Sequence, residues 1–91
     1  MKLLVTYDIT DDHRRDHTAR TLLDYGQRVQ GSVFFLDAEE DLIDRMRQRI
    51  GAIIDHELDS VWFVFLCEAC VRRLETLGIT KAPQVPEVYI V

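Results

Sequence analysis

The sequence predicts an α+β fold in which one β-sheet carries helices on one face and leaves its other apolar face to be covered. Three observations lead there. Short apolar runs rich in β-branched and aromatic residues occur at 2–9, 28–36 and 61–66, each the length of a strand. Between them lie polar segments whose apolar residues recur at three- and four-residue intervals, the spacing of a helix face. The chain has 91 residues, enough for one compact domain with a modest core, so a partner subunit that covers apolar surface would add stability.

Residues 2–9 (Lys-Leu-Leu-Val-Thr-Tyr-Asp-Ile) read as a largely buried strand with Asp8 at its carboxyl end. Thr10, Asp11 and Asp12 supply N-cap oxygens and negative charge for a helix start, and Ala19, Leu22 and Leu23 carry a helix over about 12–25, closed by Gly26. Arg28 to Leu36 predicts a strand with a bend or bulge at Gly31. Asp37-Ala-Glu-Glu40 resembles a capping box, after which Ile43, Met46, Ile50 and Ile53 form one stripe of a helix over about 39–55. Val61 to Leu66 predicts a central strand, Cys67 to Cys70 a tight turn or single helical turn, and Arg72 to Leu77 a further strand broken by Gly78. Pro83 and Pro86 exclude regular structure from about 80 to 87, and the strand-like residues 87–91 are free to pair with another chain. The chain thus divides into a domain at 1–78 and a C-terminal arm at 79–91.

A formal net charge of −5 argues against broad, nonspecific nucleic-acid binding, which needs a basic field over much of the surface. Local patches remain open, because Lys2 and Lys81 are the only lysines among 11 basic residues and arginine's planar fork suits bidentate phosphate contacts. No apolar run approaches the roughly 20 residues of a membrane span, and the N-terminus lacks a signal-peptide pattern, so the expected location is cytoplasmic with no membrane partner. Cys67 and Cys70 are too close in sequence for a structural disulfide to remove much unfolded-state entropy, and no second C-x-x-C unit completes a zinc site. They are expected to be reduced, small core residues.

Asp8 is the leading candidate for chemistry, since the carboxyl ends of strands in α/β folds expose polar groups to ligands. A hard cation such as Mg²⁺ often uses only one or two protein carboxylates, so one Asp per subunit suffices if two-fold symmetry supplies a second. The competing reading makes Asp8, Asp11 and Asp12 turn formers and helix caps. Arg14 and Arg15, in the first helical turn, and Arg28 are candidate phosphate contacts; alternatively they form a solvated face paired with Asp11, Asp12 and Asp16. Arg45, Arg47 and Arg49 read as a solvated face, as do His13 and His17, one helical turn apart and without a metalloprotease pattern. Ser32 has no His-Asp partner nearby in sequence.

Val5-Thr-Tyr-Asp-Ile9, the arginines at 14 and 15, Leu22 and Leu23, and Tyr25-Gly-Gln-Arg-Val-Gln-Gly-Ser-Val-Phe34 resemble, in order and spacing, the Cas-two family of CRISPR-associated proteins. The likeness continues through Asp59-Ser-Val61, Leu66-Cys-Glu-Ala-Cys70 and Leu77-Gly78, covering nearly the whole chain. It implies a ferredoxin-like α/β sandwich and a homodimer whose C-terminal strand is exchanged onto the partner's sheet. It also implies Mg²⁺ held between two symmetry-related aspartates, at the position of Asp8. By the same resemblance Arg14 and Arg15 are phosphate contacts, and Tyr7, Ser32 and Phe34 stand in motifs near the metal. Phe35 departs from the pattern, in which an acidic residue often follows, and so removes a possible second carboxylate. The implied activity is a metal-dependent endonuclease acting on RNA or double-stranded DNA in spacer acquisition. The alternatives are a noncatalytic dimeric scaffold that bridges integrase dimers and binds protospacer DNA, and a toxin-like ribonuclease of the same fold.

Overall fold

In a computed structural model, residues 1–78 form the elements β1 (Lys2–Asp8), α1 (Asp12–Leu23), β2 (Gly26–Gln30), β3 (Val33–Asp37), α2 (Glu40–Ile53), β4 (Ser60–Leu66) and α3 (Glu68–Arg72). The described residues end at Gly78; the predicted arm at 79–91, including the strand at 87–91, lies outside them. All strand pairings are antiparallel, in the order β2-β3-β1-β4. The predicted α+β class is borne out: one four-stranded sheet with helices on one face.

β1 alternates strictly, with Leu3, Val5 and Tyr7 buried and the residues between them more open. Those three pack with Phe34 and Leu36 of β3, Ala19 and Leu22 of α1, and Ile43, Met46 and Ile50 of α2 in a single helix-side core. Three residues of the predicted α2 stripe, Ile43, Met46 and Ile50, are therefore buried, whereas Ile53 is half-buried and Ile54 packs against the core in its place. On the opposite face, Leu4 and Thr6 stand in register with Val64 and Trp62 of β4, and Trp62 is 67% exposed. α3 reaches back to β1 through Glu68, whose carboxylate accepts from Lys2 Nζ at 3.0 Å, and Val71 is buried.

Several expectations require correction. The single bent strand at 28–36 is two strands joined by the two-residue turn Gly31-Ser32, with a register shift between Arg28 and Gln30. Gly31 has φ +44° and no other residue of the turn has positive φ, the pattern of a hairpin turn with glycine at its first central position. Gly26 does not merely end α1 but opens β2, where the strands approach so closely that a Cβ would stand 2.3 Å from the Phe35 carbonyl oxygen. The capping box before α2 does not form: Glu39 is the N-cap and makes no side-chain cap bond. Among the described strands β4 lies at the edge rather than at the centre, and β1 and β3 hold the interior positions. Residues 72–77 are not a strand, because α3 occupies 68–72 and the chain beyond pairs with no described strand.

The N-terminus of α1 is built as expected, with the Asp11 carboxylate accepting from the Arg14 N–H at 2.9 Å. A longer-range tie then fixes it. The Arg14 guanidinium donates to both Asp59 oxygens, at 2.7 and 3.2 Å, and the Asp59 side chain exposes no surface. Asp59 Oδ2 also accepts from the Asp55 N–H at 2.8 Å, so the loop from α2 to β4 is clamped onto α1. This bond from Arg14 first, and the Asp55 N–H second, hold the Asp59 carboxyl below the usual carboxylate range.

Two predictions follow from the packing. Thr18 is fully buried in α1 and its hydroxyl has no hydrogen-bond partner, so Thr18→Val should raise unfolding stability by about 1 kcal/mol in urea titration. Asp59→Asn should lower the Tm, with a pH signature. A depressed carboxyl contributes stability above its unfolded pKa, about 4, and loses it as pH falls through its lower folded value. The Tm gap between wild type and variant should therefore be widest near neutrality and narrow below about pH 4.

Candidate functional site

Asp8 closes β1. Opposite Ser60 of β4, it lies past the last β1–β3 pair, Thr6 with Val33, and is exposed. It has no hydrogen-bond or ion-pair partner among the described residues. Its acidic neighbours are already engaged: Asp11 caps α1, and Asp12 pairs with Arg15. An exposed carboxylate with both oxygens uncommitted suits a hard divalent cation, which takes oxygen ligands and keeps several waters. No cluster of three or more His, Cys, Asp or Glu placed to hold a metal exists among the described residues. His13 and His17 form no metal cluster either.

The other motif residues converge beside the same strand end. Tyr7, Arg15, Asp16, Arg28 and Ser32 line a groove of about 290 Å³ between α1 and the β2–β3 turn. The turn is fastened to β1 by the Tyr7 N–H, which donates to the Ser32 carbonyl at 3.3 Å. Phe34, buried in the core, contacts two of these lining residues: its ring lies 6.1 Å from that of Tyr7, and the Arg28 guanidinium sits over it at 5.0 Å from the centroid. Such stacking orients Arg28 without consuming its N–H donors. A neighbouring groove of about 410 Å³, lined by His13, Asp16, Arg20 and Arg28, continues along α1.

The predicted arginines separate into different roles. Arg14 is not in the groove; it is committed to Asp59, and both its side-chain bond and the surrounding carboxylates raise its pKa. Arg15 is half engaged, donating to the Ile9 and Thr10 carbonyls at 3.4 and 3.3 Å and pairing with Asp12, which raises its pKa. It braces the loop that leaves Asp8 and still faces the groove. Arg28 makes its ring contact and no ion pair among the described residues. Arg47 and Arg49 are less free than a solvated face implies: Arg47 lies over Phe65 at 5.5 Å, and Arg49 pairs with Asp24 at 3.0 Å.

Arg20 is the groove residue that the sequence reading passed over. His13, Asp16, His17 and Arg20 repeat at three- and four-residue steps, so the periodicity used for apolar residues marks a polar face here as well. Asp59 had no local signal, being 45 residues from Arg14. The cysteines need correction: Cys67 and Cys70 are exposed rather than buried in the core, because they flank the start of α3 at the molecular surface.

Comparison with known proteins agrees with this arrangement. Residues 1–74 match the family described as CRISPR associated protein Cas2. The chain is 37% identical over 93 residues to a CRISPR-associated endoribonuclease Cas2 of Chloroflexus aurantiacus, covering all of both chains. It is 35% identical over 86 residues to a CRISPR-associated endonuclease Cas2 of Thermus thermophilus, covering 94% of this chain and 91% of the relative. Among solved structures, Streptococcus pyogenes Cas2 superposes with a TM-score of 0.78 at 40% identity, covering 86% of this chain and all of that one. With its sheet order, its Tyr7-Asp8 strand end and its Gly31-Ser32 turn, the chain belongs to the Cas2 family of CRISPR-associated proteins.

Proposed function

We propose that this chain acts in CRISPR spacer acquisition as a homodimeric, Mg²⁺-dependent endonuclease that cleaves phosphodiesters of RNA or double-stranded DNA. The observation that carries the reading is Asp8: an exposed, unpartnered carboxylate at the end of an interior strand, next to a groove lined by arginines. The relatives' names as endoribonucleases and endonucleases support the activity.

A two-fold dimer is supported by the face on which Asp8 sits. It shares that face with Leu4, Thr6, Val64 and Trp62, of which the apolar Val64 and Trp62 are exposed. Sheet-to-sheet packing of two subunits would bury this face and bring two copies of Asp8 toward the dyad. β4, at the edge of the described sheet, has a ladder side available for the partner's residues 87–91.

Each side chain then has a definite task. Asp8 and its symmetry mate would hold the ion through carboxylate oxygens, and bound Mg²⁺ would polarise the phosphodiester and activate water. Arg28, stacked on Phe34 with its donors free, would grip a backbone phosphate, and Arg15 would add a second contact while holding the loop after Ile9. Arg14 serves as a positioning residue, through Asp59, rather than as a phosphate contact. No helix among the described residues is long and apolar enough to cross a membrane, in keeping with work in the cytoplasm.

A noncatalytic role, bridging integrase dimers on protospacer DNA, is the second reading, and one feature favours it: among the described residues no group of three or more His, Cys, Asp or Glu could hold a metal. Asp8→Asn separates the two. Metal-dependent cleavage should fall at least about 100-fold, while circular dichroism and sedimentation show a folded dimer. Cleavage that persists in the variant would remove Asp8 from the chemistry, and spacer integration unchanged by it would establish the scaffold role. Deleting residues 87–91 should weaken the dimer by about tenfold or more in sedimentation equilibrium; an unchanged dissociation constant would refute strand exchange.

A further inference from the structure

The Cys67 and Cys70 sulfurs lie 3.4 Å apart, and both residues are exposed. Cys67 follows β4 as the N-cap of α3 and Cys70 sits in the first turn of that helix, the arrangement that brings the two sulfurs together. A disulfide between them needs the sulfurs to close only to about 2 Å. It would enclose so short a loop that it would add little to fold stability, which separates it from the structural bridges of small secreted domains.

We propose that Cys67 and Cys70 form a reversible dithiol–disulfide site that exchanges with small-molecule disulfides. Cys67 is the attacking sulfur. Its thiol is held below the usual range, first by the Cys70 N–H and then by the Cys70 side chain, while Cys70 is pushed up by the same contact with Cys67. Arg72 and Arg73 follow Cys70 after Val71, and Arg73 adds positive charge at Cys70, a setting that favours thiolate and an anionic partner. Nothing in the nuclease reading uses either sulfur.

The exchange balances with an ordinary disulfide of the glutathione type. The Cys67 thiolate attacks one sulfur of the small disulfide and expels the first thiolate, leaving a mixed disulfide on Cys67. Cys70 then gives up its proton and attacks Cys67 Sγ, so the Cys67–Cys70 bond forms as the second small thiolate leaves. The dithiol loses two electrons, the small disulfide gains them, and both protons end on the two released thiols.

The full-length protein, equilibrated with graded mixtures of reduced and oxidised glutathione, tests this by intact mass and differential alkylation. Wild type should lose two hydrogens without forming covalent dimers. Cys70→Ser should instead accumulate a single glutathionyl adduct, having no sulfur to resolve it. Cys67→Ser should react about fivefold or more slowly than Cys70→Ser with an aromatic disulfide at neutral pH. Both variants alter exposed side chains, and circular dichroism checks that they fold. The proposal fails if wild type stays reduced in mixtures more oxidising than the cytosolic poise, if the bond forms between chains, or if the two variants react equally fast.

Discussion

The parity of β1 is the constraint on which the rest of the molecule depends. Side chains along a strand alternate between faces, and β1 is hydrogen-bonded on both sides, so its alternation is imposed by two neighbours at once. Leu3, Val5 and Tyr7 are committed to the helix-side core. Lys2, Leu4, Thr6 and Asp8 are consequently committed to the other face. A slip of one residue would place Asp8 among Phe34, Ile43 and Met46, at the full cost of burying an unpaired carboxylate, and would expose three core residues. The position of the candidate metal ligand is therefore set by the same hydrophobic pattern that sets the fold.

Around this strand the charged residues divide between structure and recognition. Arg14 spends its fork on Asp59, a shielded carboxylate whose other bond comes from the neutral Asp55 N–H, so removing Arg14 leaves a shielded charge with no cation beside it. Arg15 spends part of its donors on the Ile9 and Thr10 carbonyls. Arg28 spends none on an acceptor among the described residues, resting instead on an aromatic ring. A chain of net charge −5 can thus present local positive charge without a basic surface: Arg14, Arg15, Arg47 and Arg49 are each paired with a carboxylate, whereas Arg20 and Arg28, which line the grooves along α1, have no ion pair among the described residues.

What the sequence revealed follows the range of the forces involved. Elements shaped by local periodicity were legible: β1 from its alternation, α1 from its cap, and α2 from Ile43, Met46 and Ile50. The β2–β3 hairpin was legible in principle, since Gly-Ser between strand-like runs is a turn signal; reading Gly31 as a bulge missed that two residues are enough to reverse an antiparallel chain. The edge position of β4 among the described strands was not legible, because its aromatic run suits a central strand equally well and strand order is a property of long-range pairing. Exposed sulfurs at Cys67 and Cys70 were hidden for a related reason: cysteine's usual burial says nothing about a short helix that turns the chain outward. Asp8, Tyr7 and Ser32 were singled out as motif residues, but only the folded chain shows Tyr7 and Ser32 tied together and Arg14 withdrawn from the group.

Tyr7 and Asp8 are adjacent in sequence and point to opposite faces, and this bears on how a nucleic acid could meet the site. The groove with Arg15, Arg28 and Ser32 opens on the helix side, beside Tyr7, whereas the Asp8 carboxylate belongs to the face shared with Trp62 and Val64. A ligand lying along either face alone would reach one and not the other. A backbone that crosses the end of the sheet passes both, since Tyr7 and Asp8 are one residue step apart, roughly 3.3 Å along β1. Pairing two subunits through the open face would place two such crossings on either side of the dyad, each with its arginines on the outside and its carboxylate toward the centre. The alternation that buries Tyr7 therefore also separates the arginine-lined groove proposed to grip phosphate from the carboxylate proposed to act on it, and it does so with neighbouring residues of one strand.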